Sequence, residues 1–300
     1  MKQKIFALYI LLAGAFWGSS CLFVNKLTSV GFSPIHCTAI RVICGALILN
    51  AVLLFKGRGL KLYRIDLPSW GLAAASGIGS VLAMCLFYYY CMTETSAAVS
   101  AILLYTAPVF VMIMSVLFFK EKITVRKVAA FAVAITGCAL VSGIAGGATV
   151  SLKGLLFGVL SGLAYSLYGI LTTFYMKRNQ ERLTFSALNF TFASLGVVWL
   201  LDVAELKTVM ATAAPLPTLL GLFVLFSLCT AVLPYVLYTK GLAGVRPDVA
   251  SILAFVEPLT AAVLGIAVLK QPFDLFQGAG IGLVIAALAI LQLPPKKRKT

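Results

Sequence analysis

A carboxylic acid and a proline stand side by side in an otherwise apolar run, at Glu257-Pro258 within the segment Asp248–Lys270. At ~1.5 Å rise per residue, Glu257 lies roughly 14 Å along a helix from Asp248, near the midplane of a ~30 Å hydrocarbon core. A carboxylate at that depth is costly unless it faces a cavity, a partner or water. Pro258 has no amide hydrogen and crowds the carbonyl four residues earlier, so we expect a kink and a free backbone acceptor beside the acid. These groups suit a substrate or ion site.

Arg41 is the other charge well inside an apolar segment. It lies about 10 Å along its helix from Pro34. Its guanidinium can snorkel to the surface, lock a helix end or pair with a substrate carboxylate, and structural anchoring is the favoured interpretation. For Glu257, binding of a substrate or a proton stands beside an equal alternative, a structural hydrogen bond to a neighbouring helix.

Aromatic residues at three points predict the walls of a cavity. Trp17 and Tyr165 occupy equivalent places in two stretches of small residues that let helices approach closely, so we expect the two rings to form a paired wall. Tyr105 shares a helix face with Pro108 and Met112, at positions i, i+3 and i+7. A largely apolar and aromatic cavity with one acid suits a medium-sized amphipathic solute better than a small inorganic ion.

The chain also carries an internal repeat with an offset of about 150 residues, which aligns Ala98–Lys120 with Asp248–Lys270 without a gap. Matched pairs include Val99 with Val249, Pro108 with Pro258, and Lys120 with Lys270. Both prolines are therefore predicted hinges, whereas only the second half has the acid, because Ala107 occupies the position of Glu257. We place the two halves at residues 1–147 and 148–300.

Composition predicts an integral membrane protein, since 61% of the residues are hydrophobic and 11% charged, against ~45–50% and ~25% in soluble domains. Ten apolar segments are long enough to cross a bilayer: approximately Ile5–Phe23, Ile35–Phe55, Trp70–Met92, Ala97–Phe119, Val128–Ile144, Gly154–Tyr175, Phe185–Leu201, Leu219–Tyr238, Val249–Leu269 and Phe276–Leu293. Five crossings per half turn the second half upside down, as in transporters that alternate access to a central site. The predicted fold is all-α, with ten transmembrane helices in two inverted five-helix repeats around a central cavity. The connection Asp202–Thr218 has room for a short surface helix.

Basic residues predict the orientation of the chain. Nineteen of the 24 lysines and arginines fall on one side of the predicted spans, so that side and both termini are expected to be cytoplasmic. The C-terminal run Pro295–Lys299 is then a charge anchor and not a nuclear import signal. The net charge of +15 therefore reflects topology: the expected partners are the lipid bilayer and a small-molecule substrate, and not nucleic acid. Monomer and homodimer both remain open.

The absence of several sequence motifs argues against a metal site, an ATP-binding site and a catalytic site. The seven cysteines form no C-x-x-C pair and there is a single histidine, so neither a metal site nor a cofactor is predicted. No phosphate-binding G-x-x-x-x-G-K-[ST] loop is present, which argues against an ATP-driven pump. The G-x-S-x-G and H-E-x-x-H patterns are absent as well, so the chain is not predicted to be an enzyme.

Over essentially its whole length the chain resembles the ten-helix EamA branch of the drug/metabolite transporter superfamily. The matching motifs are Gly14-Ala15-Phe16-Trp17-Gly18-Ser19, Ala39–Ala46 around Arg41, Tyr105-Thr106-Ala107-Pro108-Val109 with Phe119-Lys120-Glu121, and Glu257-Pro258-Leu259-Thr260-Ala261 with Gly265. Each motif is weak alone, but their order and the repeat are specific. One departure is Lys270-Gln271-Pro272, where the family commonly has Gly-Glu.

The resemblance implies export or exchange of small metabolites, amino acids among them, by alternating access. We therefore expect a plasma-membrane transporter of amino acids or similar solutes, with Trp17, Arg41, Tyr105, Tyr165 and Glu257 in the substrate site. Facilitated diffusion is favoured over proton antiport through Glu257. An exchanger of nucleotide sugars or phosphate esters is the first alternative, although it would want several basic residues at mid-depth. A scaffold or sensor that transports nothing is the second.

Overall fold

The protein is described by a computed structural model over residues 2–56, 59–95, 97–141, 151–178, 180–270 and 275–292. These residues form helices and connecting turns, and none of them lies in a β-strand. The first half contains α1 (Lys2–Gly18), α2 (Ser20–Ser29), α3 (Pro34–Phe55), α4 (Leu67–Ser76), α5 (Ala83–Glu94), α6 (Ala97–Leu104), α7 (Ala107–Phe119) and α8 (Val125–Val141). The second half contains α9 (Leu152–Met176), α10 (Arg182–Val198), α11 (Val203–Ala213), α12 (Leu216–Ser227), α13 (Leu233–Gly241), α14 (Pro247–Leu253), α15 (Val256–Ala267) and α16 (Leu275–Gln292).

Within the described ranges, seven stretches are long and apolar enough to cross a membrane. The bent pair of α10 and α11, which meet at 102°, is an eighth candidate. Of the remaining helices, α8 and α16 pack against each other, and α16 holds a shorter apolar stretch, Gly278–Ile290. The protein is thus an all-α membrane protein, and the ten predicted segments are consistent with these helices. The short helix predicted within Asp202–Thr218 is present as α11, none of whose residues is buried.

The internal repeat is visible in the backbone. Two predicted spans are broken at corresponding places, between α6 and α7 and between α14 and α15, just before Pro108 and Pro258. The spans that precede them contain wider π-helical turns at Gly77–Leu82 and Leu228–Val232. Each broken span ends near a lysine with left-handed backbone, since φ is 55° at Lys120 and 56° at Lys270. Non-glycine residues seldom adopt that conformation. The same uncommon geometry therefore recurs at matched positions of the two halves.

The backbone at the second break differs from our expectation. Pro258 has no amide hydrogen to give to the carbonyl of Ala254, and we expected that oxygen to stay free. Instead it accepts a hydrogen bond of 2.9 Å from the amide of Glu257. This shorter i to i+3 bond tightens the turn and satisfies the acceptor. The group that the break presents at mid-depth is therefore the Glu257 side chain and not a bare carbonyl.

Ion pairs show which helix ends meet. At one end, Lys56 after α3 lies 3.0 Å from Glu181 before α10, and Arg178 after α9 pairs with Asp66 before α4. The ammonium of Lys177 also lies 4.2 Å from the ring centre of Phe119, at the end of α7. We call this the basic end. Helices α3, α7 and α9 finish there, and α4 and α10 begin there, so successive predicted spans run in opposite directions.

Side-chain caps fix the start of helices at the opposite end of the bundle. The Ser33 hydroxyl accepts from the amide of His36 at 3.4 Å, and the Ser33 amide donates to the His36 ring at 3.3 Å, before the first-turn proline of α3. Ser151 caps α9 by accepting from the amide of Gly154 at 2.9 Å. Asp202 caps α11 in the same manner. Each cap satisfies amide groups that a helix start leaves unpaired.

Some sequence predictions concern residues outside the described ranges. They are the boundary between residues 147 and 148, the departure at Gln271-Pro272, and the basic run Pro295–Lys299.

Candidate functional site

Glu257 sits in the first turn of α15, immediately after the break. A carboxylate is favoured there because the unpaired amides at a helix start carry partial positive charge. The Tyr165 hydroxyl of α9 lies close enough to the Glu257 carboxylate to interact with it. Both side chains are only half-buried. The break thus presents an acid at mid-depth with a hydroxyl beside it.

Arg41 points into the bundle and not toward the end of α3. Its Nη2 donates to the sulfur of Cys85 on α5 at 2.9 Å. Electrostatic interactions link the guanidinium to Tyr235 on α13 and to Glu257. Its Nε is buried without a hydrogen-bond partner among the described residues. The two charges that the sequence places deep within apolar segments therefore lie in one region of the bundle and attract each other.

Trp17 lies at the centre of an aromatic cluster. Its ring centre is 6.1 Å from that of Tyr165, 5.3 Å from Tyr235 and 5.4 Å from Tyr238, and Tyr168 stands 4.8 Å from Tyr235. Except for Tyr165, these rings are almost fully buried. Residues Tyr168 and Tyr238 lie farther toward the basic end than Tyr165 and Tyr235 on the same helices. We call these five rings the aromatic layer.

Glycines allow α1 to reach the broken helix. A Cβ added to Gly14 would lie 3.2 Å from the carbonyl oxygen of Ala254, and one added to Gly18 would overlap the carbonyl oxygen of Glu257. The Gly18 contact is closer than real Cβ atoms come to backbone, and an added Cβ on Gly14 would also overlap the Val256 side chain, so both positions favour a residue without a side chain. The close crossing sets Trp17, between the two glycines, against the site.

Tyr105 lies at the first break and Phe255 at the second, and their ring centres are 5.4 Å apart. The two broken spans thus contact each other where both are interrupted. Tyr105 is also close enough to Glu257 for an electrostatic interaction. Pro108 and Pro258 are both buried. Trp17, Tyr105, Tyr165, Glu257 and both predicted hinge prolines therefore lie at the two breaks or close to them, and Arg41 lies within electrostatic reach of the second.

Open space is distributed unevenly around this region. A cavity of about 10 Å³ touches Trp17, Tyr165, Tyr168, Tyr238 and Ser251, which is roughly the space of one water molecule. Arg41, Cys85, Tyr88 and Glu257 remain half-buried, whereas most of the aromatic layer is closed. A larger cleft of about 290 Å³ borders Met176 and Gln180 at the surface of the basic end, away from both interior charges. The polar site is therefore sealed from the basic end by packed aromatic rings.

Sequence reasoning missed Cys85, Tyr88, Tyr235 and Tyr238. Both Tyr88 and Cys138 interact electrostatically with Glu257, although runs such as Tyr88–Tyr90 look like an interfacial belt in sequence. Their roles depend on how each helix is rotated, and no motif records that rotation. Across the described residues, no three His, Cys, Asp or Glu side chains gather as a metal site requires.

Comparison with known proteins identifies relatives over the full length. A family model described as the EamA-like transporter family matches residues 4–143 and 152–293. An uncharacterized transporter of Bacillus subtilis, YwfM, is 26% identical over 100% of this chain and 98% of its own length. An uncharacterized transporter of Archaeoglobus fulgidus is 29% identical, with 94% of each chain covered. A solved crystal structure superposes with a TM-score of 0.76 at 14% identity, covering 96% of this chain and 97% of the other, and so shares the fold.

Proposed function

The chain belongs to the EamA-like transporter family, and from that premise we propose that it exports or exchanges amino acids across the plasma membrane by alternating access. The basic end faces the cytoplasm in this proposal, because basic residues resist translocation. The solute enters between the two halves and binds near the breaks in α6–α7 and α14–α15. Helix interruptions at mid-depth are where transporters of this architecture hold their substrates.

The observation that carries the proposal is the presence of one cation and one anion in the same interior region. The guanidinium of Arg41 and the carboxylate of Glu257 attract each other across the two halves of the chain. An amino acid carries a carboxylate and an ammonium group on adjacent atoms. The guanidinium of Arg41 would bind the substrate carboxylate through a bidentate hydrogen bond, and the carboxylate of Glu257 would bind the substrate ammonium group. When a zwitterionic amino acid binds, the opposite charges of Arg41 and Glu257 each gain a partner of opposite sign on the substrate. The site and its substrate together therefore carry no net charge in the membrane.

The surroundings of the two charges favour an organic solute. Trp17, Tyr105 and Tyr165 give a wall of rings beside Glu257, which suits the apolar body of a metabolite. A phosphate ester or nucleotide sugar carries more than one negative charge. Arg41 alone cannot balance these charges, because Glu257 already offsets its positive charge. The zwitterion is for this reason preferred over those anions.

Counterflow in proteoliposomes tests the proposal. A panel of labelled amino acids would be compared with the corresponding amides, which lack the carboxylate, and with α-hydroxy acids, which lack the ammonium group. We expect Arg41→Gln to lose the preference for acid over amide, and Glu257→Gln to lose the preference for amino acid over hydroxy acid. A matched control is Glu94→Gln, because that acid pairs with the exposed Lys153 at a helix end.

An imposed pH gradient separates the two coupling mechanisms. If the wild type responds to the gradient and Glu257→Gln does not, Glu257 carries a proton in antiport. If both exchange at equal rates and neither responds, transport is facilitated diffusion and Glu257 serves a structural role. Absence of exchange for every amino acid, in protein that is monodisperse and helical, would refute the substrate class, and phosphorylated metabolites would then be tested.

A further inference from the structure

A second group of charges lies far from Arg41 and Glu257, at the basic end. It consists of Glu121 after α7, Lys127 in the first turn of α8, Arg246 before α14 and Asp248 in the first turn of α14. We call these four residues the charge cluster. Lys127 and Asp248 are each only 2% exposed. Charged side chains are rarely buried to this degree unless they are paired.

The contacts join both cations to both anions. The ammonium of Lys127 pairs directly with the Asp248 carboxylate, and it lies 3.8 Å from Glu121. The carbonyl of Lys122 accepts a further hydrogen bond of 3.3 Å from Lys127. Arg246 Nε lies 3.2 Å from Glu121 and 3.7 Å from Asp248. The cluster is electrically neutral when Glu121 is ionised, and its members depend on one another, because removal of one partner leaves a buried charge uncompensated.

Its position relates the cluster to the two broken spans. Glu121 and Lys127 belong to the first half of the chain, whereas Arg246 and Asp248 belong to the second. Glu121 follows α7, and Asp248 begins α14, so the cluster fastens the basic-end termini of both broken spans to each other. It lies on the basic-end side of the cavity that touches Ser251, a residue whose hydroxyl donates to the Asp248 carbonyl at 2.9 Å.

The internal repeat shows that this cluster is not duplicated. With the offset of 150 that aligns Lys120 with Lys270, the counterparts are Gln271 for Glu121, Gln277 for Lys127, Ser96 for Arg246 and Ala98 for Asp248. None of the four counterparts carries a charge. Two inverted halves would otherwise provide similar closures at both ends, so the cluster makes the two ends unequal.

We propose that the charge cluster is a latch that holds the basic end of the transport path closed, and that it has to break before the path opens on that side. This inference rests on the proposed function, in which the two halves separate at the basic end. When the latch breaks, water hydrates all four charged groups, and this hydration offsets the loss of their mutual attraction. The latch can therefore be strong when closed and still release. Because the repeat-related positions at the opposite end carry no charge, we expect the state closed at the basic end to be the favoured one when no substrate is bound.

Accessibility of position 251 provides the test. Ser251→Cys would be introduced and its alkylation by a membrane-impermeant maleimide followed by peptide mass spectrometry, in right-side-out and in inverted vesicles. Residue 251 is 8% exposed in the closed state. We expect Asp248→Asn to raise its labelling from the basic side at least tenfold. The charge exchange Lys127→Asp with Asp248→Lys is expected to return labelling to within about threefold of the parent.

Asp66→Asn is the matched control, because Asp66 pairs with Arg178 at the same end but has a side chain that is 35% exposed. If Asp248→Asn does not yield folded protein, Arg246→Gln carries the test, since the Arg246 side chain is 51% exposed, and we expect it to raise labelling about threefold. Labelling that stays at the parent rate in folded Asp248→Asn or Arg246→Gln would overturn the latch, as would an equal rise in Asp66→Asn. Labelling requires no substrate, so failure of the latch is distinct from failure of the amino-acid proposal.

Discussion

The close crossing of α1 and α15 at Gly18 gives a quantitative prediction. A Cβ at this position would overlap the carbonyl oxygen of Glu257, and it would lie 2.7 Å from Thr260 Cβ and 3.0 Å from the amide nitrogen of Ala261. Two of these neighbours are backbone atoms, so no side-chain rotation relieves the overlap. Gly18→Ala must therefore push the helices apart by about 0.5–1 Å, which weakens the packing on both sides of the contact.

Overpacking of this kind costs roughly 1–3 kcal/mol. Alanine recovers about 0.5–1 kcal/mol of that through its higher helix propensity. The matched control is Gly221→Ala in α12, where nothing lies within 4 Å of the added Cβ, so only the propensity gain applies. The two variants are expected to differ by about 2 kcal/mol in the free energy of unfolding, or about 30-fold in the folding equilibrium.

The assay is unfolding by denaturant in detergent micelles, followed by circular dichroism, with exchange measured in proteoliposomes for the same preparations. Because the overlapped atom belongs to Glu257, Gly18→Ala is also expected to slow exchange by displacing that carboxylate, whereas Gly221→Ala leaves exchange unchanged. Equal stability of the two variants would refute the argument that Gly18 is required by contact with the broken helix.

Three further predictions concern the pH dependence of labelling, the protection of Cys85 by bound substrate and the role of the Tyr165 hydroxyl. Burial and the Asp248 carboxylate raise the pKa of Glu121 from 4.5 to about 7, against the opposing attraction of Arg246 and Lys127. Closing the basic end therefore takes up a proton between those values. Labelling of Ser251→Cys is divided by its rate in the denatured protein at the same pH, because the thiolate fraction itself rises with pH. This ratio is expected to rise from about pH 5 to about pH 8 and to stay flat when Glu121→Gln is added. Cys85 lies 2.9 Å from Arg41, so a bound amino acid at ten times its Kd is expected to slow Cys85 alkylation about tenfold, and equal slowing at Cys229 would contradict direct protection. Tyr165→Phe removes the hydroxyl beside Glu257, and we expect the substrate concentration for half-maximal exchange to rise about 10-fold. Tyr168→Phe removes a hydroxyl that does not contact the acid and is expected to leave this concentration unchanged, and an equal rise would contradict a role through Glu257.

Much of the fold follows from local sequence. Membrane class, helix positions and the duplication depend on composition and spacing, which are local or periodic properties of the chain. The repeat aligns Lys120 with Lys270, and the structure shows that both residues adopt the same left-handed backbone. Glu257 and Arg41 were identified by their cost in an apolar segment, a property that each residue carries regardless of its neighbours.

The contacts between the two halves could not be predicted from local sequence. The sequence suggested that Lys127 and Arg246 only mark topology, yet Lys127 is buried and both join Asp248 and Glu121 in the charge cluster. Which side chains meet depends on the rotation and depth of every helix in the bundle, and these are set by the sum of many weak packing contacts. The sequence by itself determined which charges are inside the membrane and that the chain is duplicated. Only the tertiary structure decided that Arg41 and Glu257 lie within electrostatic reach of each other and that four charges meet at the basic end, because these residues are brought together by packing and not by spacing.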